Sequence, residues 1–254
     1  MSLAPNRLLR QWKARFGIRK RVRSLVDELR GVFPHLKQAV PSEHSGGFDS
    51  IYFLEDFSGR KFGVLRLNNP HQKRKAVHTT LPRRSPSPQE RIDREWAAYS
   101  VLGPLGLSPR PLWRASDAVV GAYSECSNLR RIIEQRRGSL VRAFTAVFNA
   151  IGRMHEAGVV HLDLSPGNVL VCPDTWQATL IDFEYVPIAG RSFDEDRCFD
   201  WQQIVGRARK LATTLGRGPE IENDISAAVE ASSYRHQILV ALGSISPTAP
   251  QTTH

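Results

Sequence analysis

Cysteine, acid and long apolar runs are each scarce somewhere in this chain, and each scarcity excludes something. Only three cysteines occur, Cys126, Cys172 and Cys198, an odd number at wide spacing. That rules out a disulfide scaffold and a zinc-ligand pattern, and it suits a reducing cytoplasm. No apolar run approaches the roughly 18 residues that a spanning helix needs. The best candidates, such as residues 237–245, are far too short. Charges interrupt the first residues every few positions, so no signal-peptide core is expected there. Acidic residues are missing altogether from 57–89.

What remains is an ordinary globular composition with an uneven charge. The 254 residues suffice for one large domain or a small two-lobed one, with a core of real size. Hydrophobic residues at 41% and charged residues at 24% argue against wholesale disorder. Most of the formal net charge of +10 sits in residues 1–30, where nine Lys and Arg face only Asp27 and Glu28. Such asymmetry points to an anionic partner, whether membrane surface, nucleic acid or phosphorylated substrate.

Periodicity predicts one or two basic amphipathic helices over 6–30. Leu8, Leu9, Trp12 and Phe16 recur at helical spacing, and after Gly17 the pattern restarts with Ile18, Val22, Leu25 and Leu29. A membrane-surface helix reads this way, and so does a helix packed on the domain with its basic face in water. Residues 40–67 alternate as strands in a hairpin meander, and 68–89 read as a long polar, Pro-rich loop. A helix is expected over 88–102, then strands over 111–116 and 118–124. Helices are expected over 128–136, from Ser139 onward, and over 197–215 and 220–242, with a disordered tail from Ser244. The chain is thus α+β, strand-rich first and helical later, with two lobes.

The chemistry concentrates in His161-Leu162-Asp163-Leu164-Ser165-Pro166-Gly167-Asn168, followed by strand Val169-Leu170-Val171 and then by Ile181-Asp182-Phe183. Types and spacing match the kinase pattern H-x-D-L-x-x-x-N with a later Asp-Phe. Phosphoryl transfer is mostly positioning and charge neutralisation. A carboxylate at the acceptor hydroxyl, Asp163, can orient it and take its proton. Oxygen donors from Asp182 and Asn168 suit Mg²⁺, a hard ion that needs only one or two carboxylates.

On these residues the chain resembles the protein-kinase-like superfamily, and more narrowly the bacterial lipopolysaccharide core (heptose/Kdo) kinase family. The resemblance covers about 40–215. It also rests on Arg94-Glu95-Trp96-Ala97-Ala98-Tyr99, Gly106-Leu107-Ser108-Pro109, Met154 to Asp163, Leu180 to Glu184, and Arg197 with Asp200-Trp201. It implies a bilobal kinase-like fold with ATP and Mg²⁺ between the lobes. Gly46 and Gly47 stand where a glycine-rich loop covers the phosphates, although an ordinary hairpin turn reads equally well. Arg66 stands in place of the phosphate-gripping lysine, with Lys61 as the alternative, and Glu95 matches its partner, a solvated helix-face carboxylate being the other reading. Glu125 and Ser127 belong to the segment whose backbone binds adenine. Asp200 matches the buried aspartate that braces the catalytic loop, and a helix cap is the other reading.

Several residues depart from that pattern. Ser50 replaces the third loop glycine, Ser165 a lysine and Glu184 the glycine after Asp-Phe, and no A-P-E follows. The expected organisation is a basic helical extension at 1–38, an N-lobe at 39–124, a C-lobe at 125–243 and a tail at 244–254. The expected function is ATP-dependent phosphorylation of a hydroxyl on a lipid-linked sugar. The enzyme would sit peripherally on the inner face of the cell membrane, held to anionic lipid through residues 1–30, with no nucleic-acid partner. A small atypical Ser/Thr protein kinase and a pseudokinase binding module are the alternatives.

Overall fold

The computed structural model describes residues 5–42, 49–68, 81–84, 86–136 and 138–243. Its architecture is mixed α+β, with seven helices among the described residues. A long helix, α1 (Pro5–Val32), leads into strands β1 (Leu36–Pro41), β2 (Asp49–Asp56) and β3 (Lys61–Asn68). The short strand β4 (Arg83–Arg84) precedes helix α2 (Pro88–Leu102), and strands β5 (Pro111–Arg114) and β6 (Ala118–Ala122) follow. These strands, β4 apart, form one antiparallel sheet in the order β1-β2-β3-β6-β5.

The remainder is mostly helical. It contains β7 (Ser127–Asn128), α3 (Leu129–Gln135), α4 (Leu140–Glu156), the hairpin β8 (Val169–Cys172) and β9 (Gln177–Leu180), and β10 (Val186–Pro187). Helices α5 (Phe193–Thr214), α6 (Gly218–Ala231) and α7 (Arg235–Ala241) close the described chain. Buried apolar side chains fall into two main clusters. One joins α1 to the sheet through Ile18, Val22, Leu25, Leu29, Leu54, Leu65 and Leu67. The larger one is built around α4, with Phe144, Phe148, Ile151 and Met154 against Trp201 and Ile204 of α5 and Ile225 of α6.

Local chemistry explains the elements. Ser87 and Glu90 make a reciprocal capping box at the start of α2, with Pro88 in the first turn. Ser192 and Glu195 do the same for α5, whose first turn carries Asp194, Glu195 and Asp196. Along β3 the period of two sends Leu65 and Leu67 into the α1 cluster and Arg66 to the opposite face, toward α2.

Three expectations change. Of the one or two helices expected over 6–30 there is one, unbroken, since an isolated Gly17 costs only about 1 kcal/mol against Ala. Its second half is not an extension: Leu25 and Leu29 are fully buried against the sheet, and Arg21 ties the helix to Asp117 through two 2.8 Å hydrogen bonds. That stretch has no apolar face left for a membrane. Leu8, Leu9, Trp12 and Phe16 lie outside the residues whose side chains are described. Residues 83–84 are not loop but pair with β10. The single helix expected over 220–242 breaks at Ser232-Ser233-Tyr234, where Asn149 Oδ1 accepts from Ser232 Oγ and the Ser233 N–H. The tail from Ser244 lies outside the described residues, as do Gly46 and Gly47.

Candidate active site

The site forms where the loop between α4 and β8 meets α2, β3 and the segment after β9. Asp200 organises that loop. It is the eighth residue of α5 rather than its cap, which is Ser192. Its fully buried carboxylate accepts the backbone N–H of His161 at 2.8 Å and of Leu162 at 2.7 Å, and faces His155 Nε2 at 3.2 Å. These bonds hold Leu162 at φ +65°, a left-handed conformation that costs a non-glycine residue about 1 kcal/mol or more. Arg94 of α2 adds a 2.8 Å bond to the Val160 carbonyl. Asn168 closes the loop by donating its side-chain amide to the Asp163 carbonyl at 3.0 Å.

His161 links this loop to the next one. Its Nε2 lies 2.8 Å from the Ile181 carbonyl, and its Nδ1 accepts the Asp163 N–H at 3.3 Å. Its ring packs 4.4 Å from that of Phe183, which is fully buried and meets Tyr99 of α2 edge-on. The side chain of Phe183 therefore anchors Asp182, itself held at φ +73°.

Arg66 collects the acids. Its Nη1 donates to Glu95 Oε2 at 2.7 Å, its Nη2 donates to Asp182 Oδ1, and Glu184 Oε2 lies 3.7 Å from Nη2. The other Glu95 oxygen accepts from the Tyr99 hydroxyl at 2.7 Å. Lys61 is elsewhere, over the Phe53 ring at 4.3 Å. Burial works against the Arg66 charge, but Asp182, Glu95 and Glu184 outweigh it and hold the guanidinium well above its ordinary value. Burial also pushes the Asp182 carboxyl up, and Arg66 more than reverses this. Glu184 is pushed up to about 7, first by burial and then by the neighbouring Asp182 charge.

One oxygen each from Asp163, Asp182 and Glu184 lies within 4.8 Å of the others. The site thus brings together Asp163, Asn168, Asp182, Arg66 and Glu95 as the sequence predicts. Glu125 lies exposed on the connection into β7 and Ser127 is that strand's first residue, and no described contact joins either to these groups. The sequence offered Glu184 as part of the family resemblance and as the replacement for a glycine, but not as a site residue, whereas its carboxylate joins the cluster. Sequence reasoning missed two arginines on Asp163. Arg83 Nη1 donates to Asp163 Oδ1, and Arg207 Nη2 reaches the same oxygen at 2.8 Å. Arg207 was findable, since it stands seven residues after Asp200 and so shares its face of α5. Nothing in the basic, Pro-rich stretch singles out Arg83.

With this geometry in hand, comparison with protein-family models and with curated proteins gives no match.

Proposed function

We propose that the protein is an ATP-dependent kinase of bilobal, protein-kinase-like architecture that phosphorylates a hydroxyl group. One observation carries the reading: Asp163 and Asp182 converge from two separate loops, while Arg66 joins Asp182 to Glu95 of α2. A strand cation paired with a helix glutamate, beside one carboxylate for a cation and another for a hydroxyl, is what phosphoryl transfer requires.

The residues fit the nucleotide and its metal. The donors that converge are hard oxygen ligands, with no thiol or imidazole among the clustered carboxylates, which suits Mg²⁺. Asp182 and the side-chain amide oxygen of Asn168 would hold the ion, and Arg66 would hold phosphate oxygens. Bound Mg²⁺ supplies charge neutralisation on the phosphates. Asp163 orients the acceptor hydroxyl and takes its proton. Asp200 and His161 keep the Asp163 backbone in place for that task.

The acceptor class rests on the resemblance to lipopolysaccharide core kinases, so a sugar of a lipid-linked glycan is the preferred substrate. Peripheral attachment to the inner membrane face is part of the same reading. No helix among the described residues is long and apolar enough to cross a membrane. Attachment through α1 would use Arg19, Lys20 and Arg23, which are exposed, together with residues before Ile18.

Mg²⁺-dependent binding of ATP, measured by titration with and without the metal, tests the core of the proposal. Wild type should bind only weakly without Mg²⁺. Asp182→Ala should lose that metal dependence, and Asp163→Asn should keep binding but lose transfer by about 10²–10⁴. If Asp182→Ala bound Mg-ATP as wild type does, the metal site would have to lie elsewhere. A pseudokinase is the second reading, favoured by the ion pair with Arg66 that already occupies Asp182. It predicts nucleotide binding without transfer to any acceptor.

A further inference from the structure

Two arginines around Asp163 are not among the groups assigned above to the nucleotide. Arg83 enters from β4 and Arg207 from the middle of α5. Both donate to the same carboxylate oxygen, Oδ1, and each also takes a carbonyl of the same loop. Arg83 Nη1 holds the Leu162 carbonyl at 2.6 Å, and Arg207 Nη1 holds that of Asp163 at 3.3 Å. No hydrogen bond reaches Asp163 Oδ2 from any described residue. One oxygen of the carboxylate is thus fixed by two guanidinium groups, and the other is left for a hydroxyl.

Of the two, Arg83 is the more enclosed, only 9% exposed. Its guanidinium lies 3.9 Å over the Tyr185 ring, and its Nε is buried with no hydrogen-bond partner. A buried donor without a partner is costly, more so on a charged group. In a guanidinium, Nε and Nη2 form the edge that grips a carboxylate or phosphate with two parallel bonds. The Arg21–Asp117 pair in this same protein uses that edge. In Arg83 the bonds to the loop are made by Nη1 alone, so the gripping edge is not spent on Asp163.

We infer that Arg83 and Arg207 form an anion subsite on the acceptor side of Asp163. The acceptor would carry a phosphate or carboxylate close to the hydroxyl that meets Oδ2. The inference rests on the kinase reading for the role of Asp163, and it adds that the acceptor is recognised by its negative charge. A neutral hydroxyl compound would leave the Arg83 Nε unanswered.

The test uses the full chain with saturating Mg²⁺ and a non-hydrolysable ATP analogue. Calorimetric titration compares glucose, glucuronate and glucose 6-phosphate, three probes that differ chiefly in charge. Both anions should bind about tenfold or more tightly than glucose, as expected for one or two charge-assisted bonds, and the tighter one identifies the group read. Arg207→Gln should remove most of that preference. Because Arg83 also braces the loop, Arg83→Lys is the informative variant there. It keeps the charge but loses the fork, and should lower the preference less than Arg207→Gln while the melting temperature holds. Equal binding of all three probes, or no anion binding up to about 10 mM, overturns the subsite. So does a preference that survives in Arg207→Gln, or a matching loss of analogue affinity, which would give the arginine to the nucleotide. Anion binding that depends on Arg207 in a protein that ignores the analogue would leave the subsite standing and sink the kinase reading instead.

Discussion

Replacing Asp200 should detach the loop that carries Asp163, and the size of the effect follows from the bonds lost. One buried carboxylate accepts two backbone N–H groups at 2.8 and 2.7 Å, with the His155 ring as a third neighbour. A hydrogen bond to a charged group contributes about 1.5–3 kcal/mol. Asp200→Ala therefore removes about 3–6 kcal/mol and leaves two buried N–H groups unpaired. Domains of this kind are stable by only about 5–15 kcal/mol, so the alanine variant should be barely folded or unfolded. Asp200→Asn is the sharper probe. It keeps one acceptor oxygen and turns an NH₂ toward the other N–H, so about half the loss is expected. The assay is urea unfolding followed by tryptophan fluorescence, for which the neighbouring, nearly buried Trp201 is a natural reporter. Hydrogen exchange at the His161 and Leu162 amides separates local release from global unfolding. An asparagine variant within about 0.5 kcal/mol of wild type, with both amides still protected, would refute the bracing role.

Arg66→Ala should destabilise by about 3–5 kcal/mol, because Glu95 and Asp182 are left as uncompensated part-buried acids, and Arg66→Ala with Glu95→Ala should cost less than the sum of the two. Denaturation of the four-member cycle checks this, and strict additivity would show that the pair is not a unit. Gly152→Ala should lower stability by about 1–3 kcal/mol although alanine favours helix, since its Cβ would stand 2.3 Å from the Tyr234 ring. A thermal melt at or above wild type would mean that Tyr234 swings away freely. The hydrogen bonds from Arg21 hold the Asp117 carboxyl below its ordinary value, against a smaller opposing effect of burial. Its contribution is therefore fully present above about pH 4, the unfolded value, and fades as pH falls through the lower folded value. Because the pair is about a third exposed, Asp117→Asn should cost only about 1 kcal/mol at neutral pH. Stability measured from pH 7 to 2 should show that difference closing on the acid side, and a constant gap would contradict it.

The strands and helices were legible because their apolar periods are clean and their ends are chemically marked. Ser87-x-x-Glu90 announces α2, and Leu65-Arg66-Leu67 announces a strand with two faces. What α1 packs against was not legible. A helix with Ile18, Val22, Leu25 and Leu29 on one side and arginines on the other satisfies a bilayer surface and a sheet face equally, because both are simply apolar. Only the tertiary arrangement decides, and in it Leu36, Leu54 and Leu65 cover that stripe. The break at Ser232 was hidden for a related reason, since its partner Asn149 stands 83 residues earlier.

The site shows the same division between local and distant signals. Asp163, Asn168 and Asp182 were legible as a group because they follow one another along one stretch of chain. Arg83 reaches Asp163 from 80 residues away with no spacing rule to connect them, and Arg207, 44 residues away, is linked to the loop only through its place on the Asp200 face of α5. Their presence changes what the motif means. A carboxylate alone on its loop would be read as a free base awaiting any hydroxyl. Held at one oxygen by two guanidinium groups, Asp163 is fixed in orientation. The groups that set the orientation of Asp163 thus lie outside the motif, which is why the motif could be read from sequence and its surroundings could not.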